Sequence, residues 1–270
     1  MPTDMGRIAS VLAVILGTAG LLHAQPAPPD VNDLEFKCMR GAAKAEAKFV
    51  GAKAKCVAKC LGNYWKGLFA TPDDCFPPYG GVTASCIHEP LKGAESKFEA
   101  YMLKYCVLAS GADCPECYAG GDCTVATSDR VQSVEGVVDS FVPGIACETS
   151  GAAPLEQRCQ LQTLKTFGKY YTSGVKCYTA CFQNARSDGT PVGDCIPSSH
   201  GVPVTDGRTN GCLTSARAKA SATIHKYCHE TSTPEATPEC GIDPYPDGDA
   251  WVDEFDQALE TAFLPSYCAD

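Results

Sequence analysis

Basic side chains recur at helical spacing near the start of the chain and again past its midpoint. The first set is Lys37, Lys44, Lys48 and Lys55, and the second is Arg158, Lys165, Lys169 and Lys176. At about 100° per residue each set falls on one face of a helix, and Arg40, Lys59 and Lys66 extend the first face. Such a row of cations suits an anionic partner, for example a glycan or an envelope lipid. The alternative is the solvated face of an amphipathic helix, whose charges pair with acids elsewhere.

The segment Cys114-Pro-Glu-Cys117 has the spacing of a redox dithiol. Such sites need a lowered thiol pKa, usually at the start of a helix in a thioredoxin-like setting. That setting is not visible here, and Cys123 and Cys147 are available as partners for these thiols. We therefore predict structural disulfides, and a thiol–disulfide oxidoreductase stays as an alternative.

Two short patterns partly match metal sites. His225 and His229 are one helical turn apart with Glu230 adjacent, which could offer two nitrogens to zinc, but the H-E-x-x-H order is absent. Residues 243–254 match several positions of a calcium loop, although Tyr245 replaces a ligand and prolines interrupt it. An acidic turn before a helix explains this segment more simply. We predict no metal site and no cofactor.

Motifs of the common enzyme classes are absent from the sequence. It contains no nucleophile elbow, Walker loop, dinucleotide fingerprint or haem attachment motif, and we interpret Ser-Ser-His-Gly at residues 198–201 as a turn. We predict no catalytic residue and favour a non-enzymatic protein. A hydrolase or other secreted enzyme stays as one alternative. A secreted effector or inhibitor that makes contact through residues 190–210 is another.

The first 24 residues have the features of a secretory signal peptide. Arg7 precedes an apolar run over residues 8–22, and Ala24 provides a small residue at the expected cleavage site. The run is shorter than the roughly 20 residues of a membrane span, so we predict a secreted or periplasmic protein without a transmembrane segment. The net charge of −10 makes nucleic acid an improbable partner.

The 18 cysteines all follow this segment, and disulfides are the expected state of cysteines in an exported chain. Twelve of them fall into two series with matching intervals. The first series is Cys38, Cys56, Cys60, Cys75, Cys86 and Cys106, and the second is Cys159, Cys177, Cys181, Cys195, Cys212 and Cys228. The first interval is 18 residues in both series and the next is 4, which predicts an internal repeat.

Helix-forming composition predicts an all-α fold of two tandem disulfide-stapled helical modules. Residues 34–66 lack proline and are rich in alanine and lysine, and they place Ala42, Ala45, Phe49 and Ala52 on one buried face with their cysteines. In the second copy the equivalent face carries Leu164, Phe167, Tyr171 and Val175. Second helices over 90–106 and 213–228 complete antiparallel hairpins, and shorter third helices follow over 130–142 and 250–264. The modules are predicted over 34–147 and 158–268, with a linker over 148–157.

Cysteines at matching separations on two helices predict staples at both ends of each hairpin. The predicted bridges are Cys38–Cys106, Cys56–Cys86, Cys60–Cys75, Cys114–Cys123, Cys117–Cys147, Cys159–Cys228, Cys177–Cys212, Cys181–Cys195 and Cys240–Cys268. Cys56 and Cys60 could exchange partners because both lie on the face that meets the second helix. Each copy has an even number of cysteines, so each can close its bridges internally.

The pattern resembles that of uncharacterised secreted bacterial cysteine-rich helical repeat proteins. In those proteins an Ala/Lys-rich helix ends in C-x-x-x-C and a second helix ends in Lys-x-Cys. The matching pieces here are residues 38–60 with 104–106, and residues 159–181 with 226–228, about half of the chain. The resemblance implies the architecture and no activity. The export signal, the repeat, the disulfides and the missing catalytic motifs instead lead us to predict a module that binds or structures an envelope or extracellular component, and an anionic glycan or envelope lipid is the candidate partner.

Overall fold

The structure is a computed structural model, and it describes residues 32–68, 72–108, 114–146, 154–189, 191–199, 201–228 and 248–268. Over these residues the chain forms seven α-helices joined by short 3-10 turns, without a β-strand. The all-α prediction is confirmed. The predicted signal peptide, Cys147 and Cys240 lie outside the described residues.

The first long helix, α1, spans Asp33–Tyr64. Asn32 caps its start by accepting hydrogen bonds from the backbone of Leu34 and Glu35, and Glu35 accepts one from the backbone of Asn32 in return. This capping box satisfies backbone donors that the first helical turn leaves unpaired. Of the predicted core positions, Ala42, Ala45 and Phe49 are buried, and Ala52 is half-buried at the edge of the core.

The helix that we predicted over 90–106 begins four residues later, and a separate short helix that we did not predict precedes it. Helix α2 spans Gly81–His88, and α3 spans Ala94–Met102 before a wider helical turn over Leu103–Leu108. Pro90 lies in the break rather than in a first helical turn. The break is packed tightly, because a Cβ at Gly93 would lie 2.6 Å from the Ile87 carbonyl oxygen.

The remaining helices are longer than predicted. Helix α4 spans Cys123–Ile145, α5 spans Pro154–Asp188, α6 spans Gly207–Cys228 and α7 spans Gly248–Phe263. Because α5 begins at Pro154, the last residues of the predicted linker are instead its first turn. Proline is well placed there, since it donates no backbone hydrogen bond and its fixed φ is helical.

Seven of the nine predicted bridges match the structure. They are Cys38–Cys106, Cys56–Cys86, Cys60–Cys75, Cys114–Cys123, Cys159–Cys228, Cys177–Cys212 and Cys181–Cys195.

The predicted pairs Cys117–Cys147 and Cys240–Cys268 are wrong, because Cys117 and Cys268 are bonded to each other. The fold brings the segment before α4 against the 3-10 turn Leu264–Tyr267 that follows α7. There the buried Tyr118 hydroxyl donates a 2.5 Å hydrogen bond to the Ser266 carbonyl oxygen. This bridge covalently joins the two predicted modules, so the prediction that each closes all of its bridges internally is wrong.

Helices α1 and α5 pack antiparallel along most of their length. Arg186 pairs with Asp33 at one end, and Gly62 approaches Leu161 near the other. At the crossing a Cβ on Gly168 would lie only 3.2 Å from the Gly51 Cα, so these glycines let the two backbones meet. Aromatic rings fill the core beside the crossing, with Phe167 5.2 Å from Phe141 and 5.0 Å from Phe255 between ring centroids.

Candidate anion-binding face

The two predicted rows of lysine lie on the exposed sides of α1 and α5. Lys44, Lys48 and Lys55 are exposed on α1, and so are Lys165, Lys169 and Lys176 on α5, whereas the neighbouring apolar positions are buried. Because α1 and α5 cross at Gly51 and Gly168, their lysines approach one another from both sides of the crossing. The rows that we predicted separately on each helix therefore join into a single surface.

Groove one is a cavity of about 660 Å³ between the first half of α1 and the second half of α5. Its cationic lining consists of Lys37, Arg40, Lys44, Lys48 and Lys176. Thr172 and Tyr105 add hydroxyl groups, and the Tyr105 side chain covers Gly41, where a Cβ would lie 2.4 Å from that of the tyrosine.

Groove two is a second cavity of about 660 Å³, between α1, α5 and α6. Its cationic lining consists of Lys55, Lys165, Lys169, Lys176 and Lys219. Lys219 comes from α6, the second helix of the C-terminal hairpin. Ser173 and Thr223 contribute hydroxyl groups.

Grooves one and two are contiguous, because Thr172 and Lys176 line both of them. We call their combined surface the basic face. No aspartate or glutamate is among the residues that line either groove in the described part of the chain. Its lysines also form no ion pairs with the acids that the structure describes, in contrast to Lys53 and Arg130 in the interior.

The positive potential of this face acts on Tyr101. The Lys48 ammonium group donates a hydrogen bond to the Tyr101 hydroxyl and lies 3.9 Å from the centre of its ring. That hydrogen bond and the nearby charges, first Lys48 and then Lys44 and Lys104, lower the pKa of Tyr101. A lowered phenol pKa is the effect expected where cations stabilise an anionic oxygen.

Arg158 is the one member of the predicted set that lines neither groove. Its guanidinium group lies over the ring of Tyr227 on α6, 4.8 Å from the ring centre. Lys219, Tyr105 and Thr172 line the grooves although they were not among the predicted site residues. They come from neighbouring helices or from an uncharged position on α5, so helical periodicity of charge could not identify them.

The buried charges form a separate centre. The Glu46 carboxylate is fully buried and accepts hydrogen bonds from Arg130 (2.7 Å), Ser266 (2.8 Å) and the Tyr171 hydroxyl. Burial raises the pKa of Glu46, and the charge of Arg130 opposes that rise. These partners come from α4, α5 and the turn after α7, so the cluster joins those elements to α1. Because Glu46 is enclosed and its oxygens are already bonded, we interpret the cluster as structural.

A second buried cation, Lys53, points from α1 towards α4. It pairs with Glu135 and Asp139, each at 2.6 Å, and its ammonium group lies 4.9 Å from the centre of the Tyr79 ring. The Tyr79 hydroxyl donates a 2.6 Å hydrogen bond to Asp139, and burial together with this carboxylate raises the pKa of Tyr79. The two carboxylates compensate the charge of a fully buried lysine, which is what a structural ion pair requires.

The structure places the other sequence candidates as follows. Cys114 and Cys117 are bonded to different partners, Cys123 and Cys268, so they do not form a dithiol pair. His225 lies on α6, whereas His229, Glu230 and residues 243–247 lie outside the described residues, and residues 248–254 form the start of α7. The cysteines that approach one another, Cys38, Cys106 and Cys123, are all in disulfides and offer no thiolate to a metal.

No protein-family model, curated protein or solved structure matches this chain. Among the described helices, none is both long and apolar enough to cross a membrane.

Proposed function

We propose that this chain is a secreted or periplasmic, non-enzymatic module that binds an anionic component of the cell envelope or extracellular medium through its basic face. The observation that carries the proposal is the concentration of lysines from both copies around two contiguous grooves whose described lining contains no acid. The protein as a whole carries a net charge of −10, so its acids are placed elsewhere.

The architecture behind this proposal is two copies of one stapled hairpin, packed face to face through α1 and α5. Bridges Cys38–Cys106 and Cys56–Cys86 staple the first hairpin, and two equivalent bridges staple the second. A third helix, α4 or α7, packs beside each hairpin. These disulfides fix α1 and α5, the helices that carry the lysine rows, within their hairpins. Disulfides persist in oxidising compartments, so the spacing of the lysines is maintained outside the cytosol.

A solvated helix face is a weaker explanation of the same lysines. Solubility requires exposed charges, but it is satisfied equally well by cations interspersed with acids, which attract rather than repel one another. Gathering ammonium groups around two grooves instead concentrates positive potential where an anion would lie.

Binding of the oxidised protein to heparin, used as a sulfated polysaccharide probe, tests the proposal. In the test variant glutamine replaces Lys44, Lys48, Lys165 and Lys169. Isothermal titration calorimetry at low salt should show binding by the wild type and at least a tenfold weaker affinity for the variant. Wild-type affinity should also fall as salt rises, because salt screens the charges and removes the gain from counterion release.

The matched control replaces Lys66, Lys92, Lys97 and Arg208 with glutamine. All four are exposed and line neither groove, so the control has the same net charge as the test variant. It should keep at least half of the wild-type affinity. Equal losses in the two variants would mean that overall charge, not the basic face, controls binding, and the proposal would then be abandoned.

A further inference from the structure

We infer that the occupant of the basic face is an extended anionic polysaccharide chain that lies across both grooves at once. This inference rests on the proposed anion-binding function and specifies its ligand. Its first support is that three lysines of groove one have equivalents among the lysines of groove two.

The spacing that relates Cys38 to Cys159 also relates Lys44 to Lys165 and Lys48 to Lys169. In groove one, Lys44 and Lys48 stand beside Lys176 of the other copy. In groove two, Lys165 and Lys169 stand beside Lys55, which is the equivalent of Lys176. Because α1 and α5 cross antiparallel, each groove takes four cations from one copy and one from the other.

The second support is the extent and continuity of the surface. Lys44 and Lys55 are separated by about 16 Å along α1 at 1.5 Å per residue, and the shared Thr172 and Lys176 connect the grooves between them. A single phosphate or a compact headgroup occupies one groove at a time. A chain with charges along its length reaches both grooves. Once one part of the chain is bound, the part that enters the second groove is held nearby at a high effective concentration, which raises the affinity.

The third support is the chemistry and shape of the lining. Hydroxyl groups of Tyr105, Ser173 and Thr223 lie among the lysines. The Ser173 and Thr223 hydroxyls donate to the backbone carbonyls of Lys169 and Lys219, so their oxygens are left to accept hydrogen bonds from sugar hydroxyls. The grooves are recessed between helices. An extended chain fits such a recess, whereas a flat bilayer contacts chiefly the side chains that protrude.

Binding of defined-length heparin oligosaccharides, from disaccharide to dodecasaccharide, tests this inference by isothermal titration calorimetry. For the wild type we expect weak binding of the shortest chains and a rise in affinity of at least tenfold once a chain spans about 16 Å, the separation obtained from the helical rise. Stoichiometry should change from two short chains to one long chain per protein.

Two single-groove variants serve as matched partners. One carries Lys44→Gln and Lys48→Gln, and the other carries Lys165→Gln and Lys169→Gln. Each should bind one short chain with near wild-type affinity and lose the rise at longer lengths, and the two should behave alike because the grooves are equivalent.

Different outcomes separate this inference from the proposed function. If oligosaccharides bind at the basic face but their affinity does not rise with length, the inference that one chain lies across both grooves is overturned, and the proposed anion binding stands. The inference would also be overturned if one single-groove variant lost all binding while the other kept the wild-type affinity. Capture by phosphatidylglycerol vesicles without binding of any oligosaccharide would assign the face to a lipid surface instead, and binding of neither probe would overturn both proposals.

Discussion

Charged residues in this protein fall into two classes with different partners. Glu46 and Lys53 are fully buried on α1, and each is compensated, by Arg130 in one case and by Glu135 and Asp139 in the other. Burial of a charge is costly unless it is paired, so these contacts offset the cost of placing Glu46 and Lys53 in the interior. The groove lysines are exposed, lack such partners among the described acids and are not needed for the core.

Under the repeat that we propose, apolar contacts replace these buried charges in the second copy. Phe167 stands at the position equivalent to Glu46, and Gly174 stands at the position equivalent to Lys53. Phe167 packs among Phe141 and Phe255, and Leu259 of α7 occupies the space that a side chain at Gly174 would fill. The copies thus diverge in the interior while both keep lysines around the grooves.

Substitution Lys48→Gln should raise the pKa of Tyr101 towards its ordinary value. Lys48 supplies the two largest effects that lower that pKa, a hydrogen bond and a nearby positive charge, and glutamine removes the charge. The deprotonated phenol would therefore appear at higher pH in the variant. Carbon-13 NMR of labelled tyrosine against pH measures this, with Tyr101→Phe to assign the signal.

Lys97→Gln is the control for that titration, because Lys97 is exposed and is not among the charges that act on Tyr101. This substitution should leave the pKa of Tyr101 the same as in the wild type. An unchanged titration in Lys48→Gln would contradict the placement of Lys48 against this ring and weaken the electrostatic description of groove one.

Helices were more predictable than their boundaries. Alanine, lysine and regularly spaced cysteines identified α1 and its equivalent α5, because helix propensity and periodicity are local properties. Helix α2 and the break between α2 and α3 were not predicted. The break depends on close backbone packing at Gly93, and a contact of that kind leaves no periodic pattern.

The crossing of α1 and α5 is the element contact on which both grooves depend. Substitution Gly168→Val should destabilise the oxidised protein by about 1–3 kcal/mol, the usual cost of overpacking a close contact. Even the first added carbon would lie 3.2 Å from the Gly51 Cα and 3.4 Å from the Ala54 Cβ. Chemical denaturation followed by circular dichroism measures the change.

Gly136→Ala on α4 provides the comparison for the crossing. Its Cβ would meet no heavy atom within 4 Å, and alanine in a helix interior is favoured over glycine by about 0.5–1 kcal/mol. This variant should be as stable as the wild type or more so. If Gly168→Val proved equally stable, the close approach of α1 and α5 would be refuted, together with the geometry of the grooves.

At the scale of the whole molecule, the bridges within each predicted module were predictable, and the bridge that joins the two predicted modules was not. Cysteines at the ends of paired helices reveal their partners through matching separations, as Cys159 and Cys228 do. The Cys117–Cys268 bridge depends on how the start of α4 meets the turn after α7. The joining of the two lysine rows was missed for the same reason, because the packing of one copy on the other has no counterpart in the spacing of residues.

The bridge between copies should be the first to open under mild reduction. Among the described disulfides, only Cys117–Cys268 has neither cysteine buried, and access controls the rate at which a thiolate attacks a disulfide. Timed treatment with a phosphine reductant, alkylation and peptide mapping should label Cys117 and Cys268 before Cys38 and Cys106, whose bridge is buried and serves as the internal control. Far-UV circular dichroism should keep its helical signal at that stage, since the hairpin staples remain closed. Labelling of Cys38 and Cys106 first would show that the accessible cross-link is not where the structure places it, and the packing of the two copies would need to be revised.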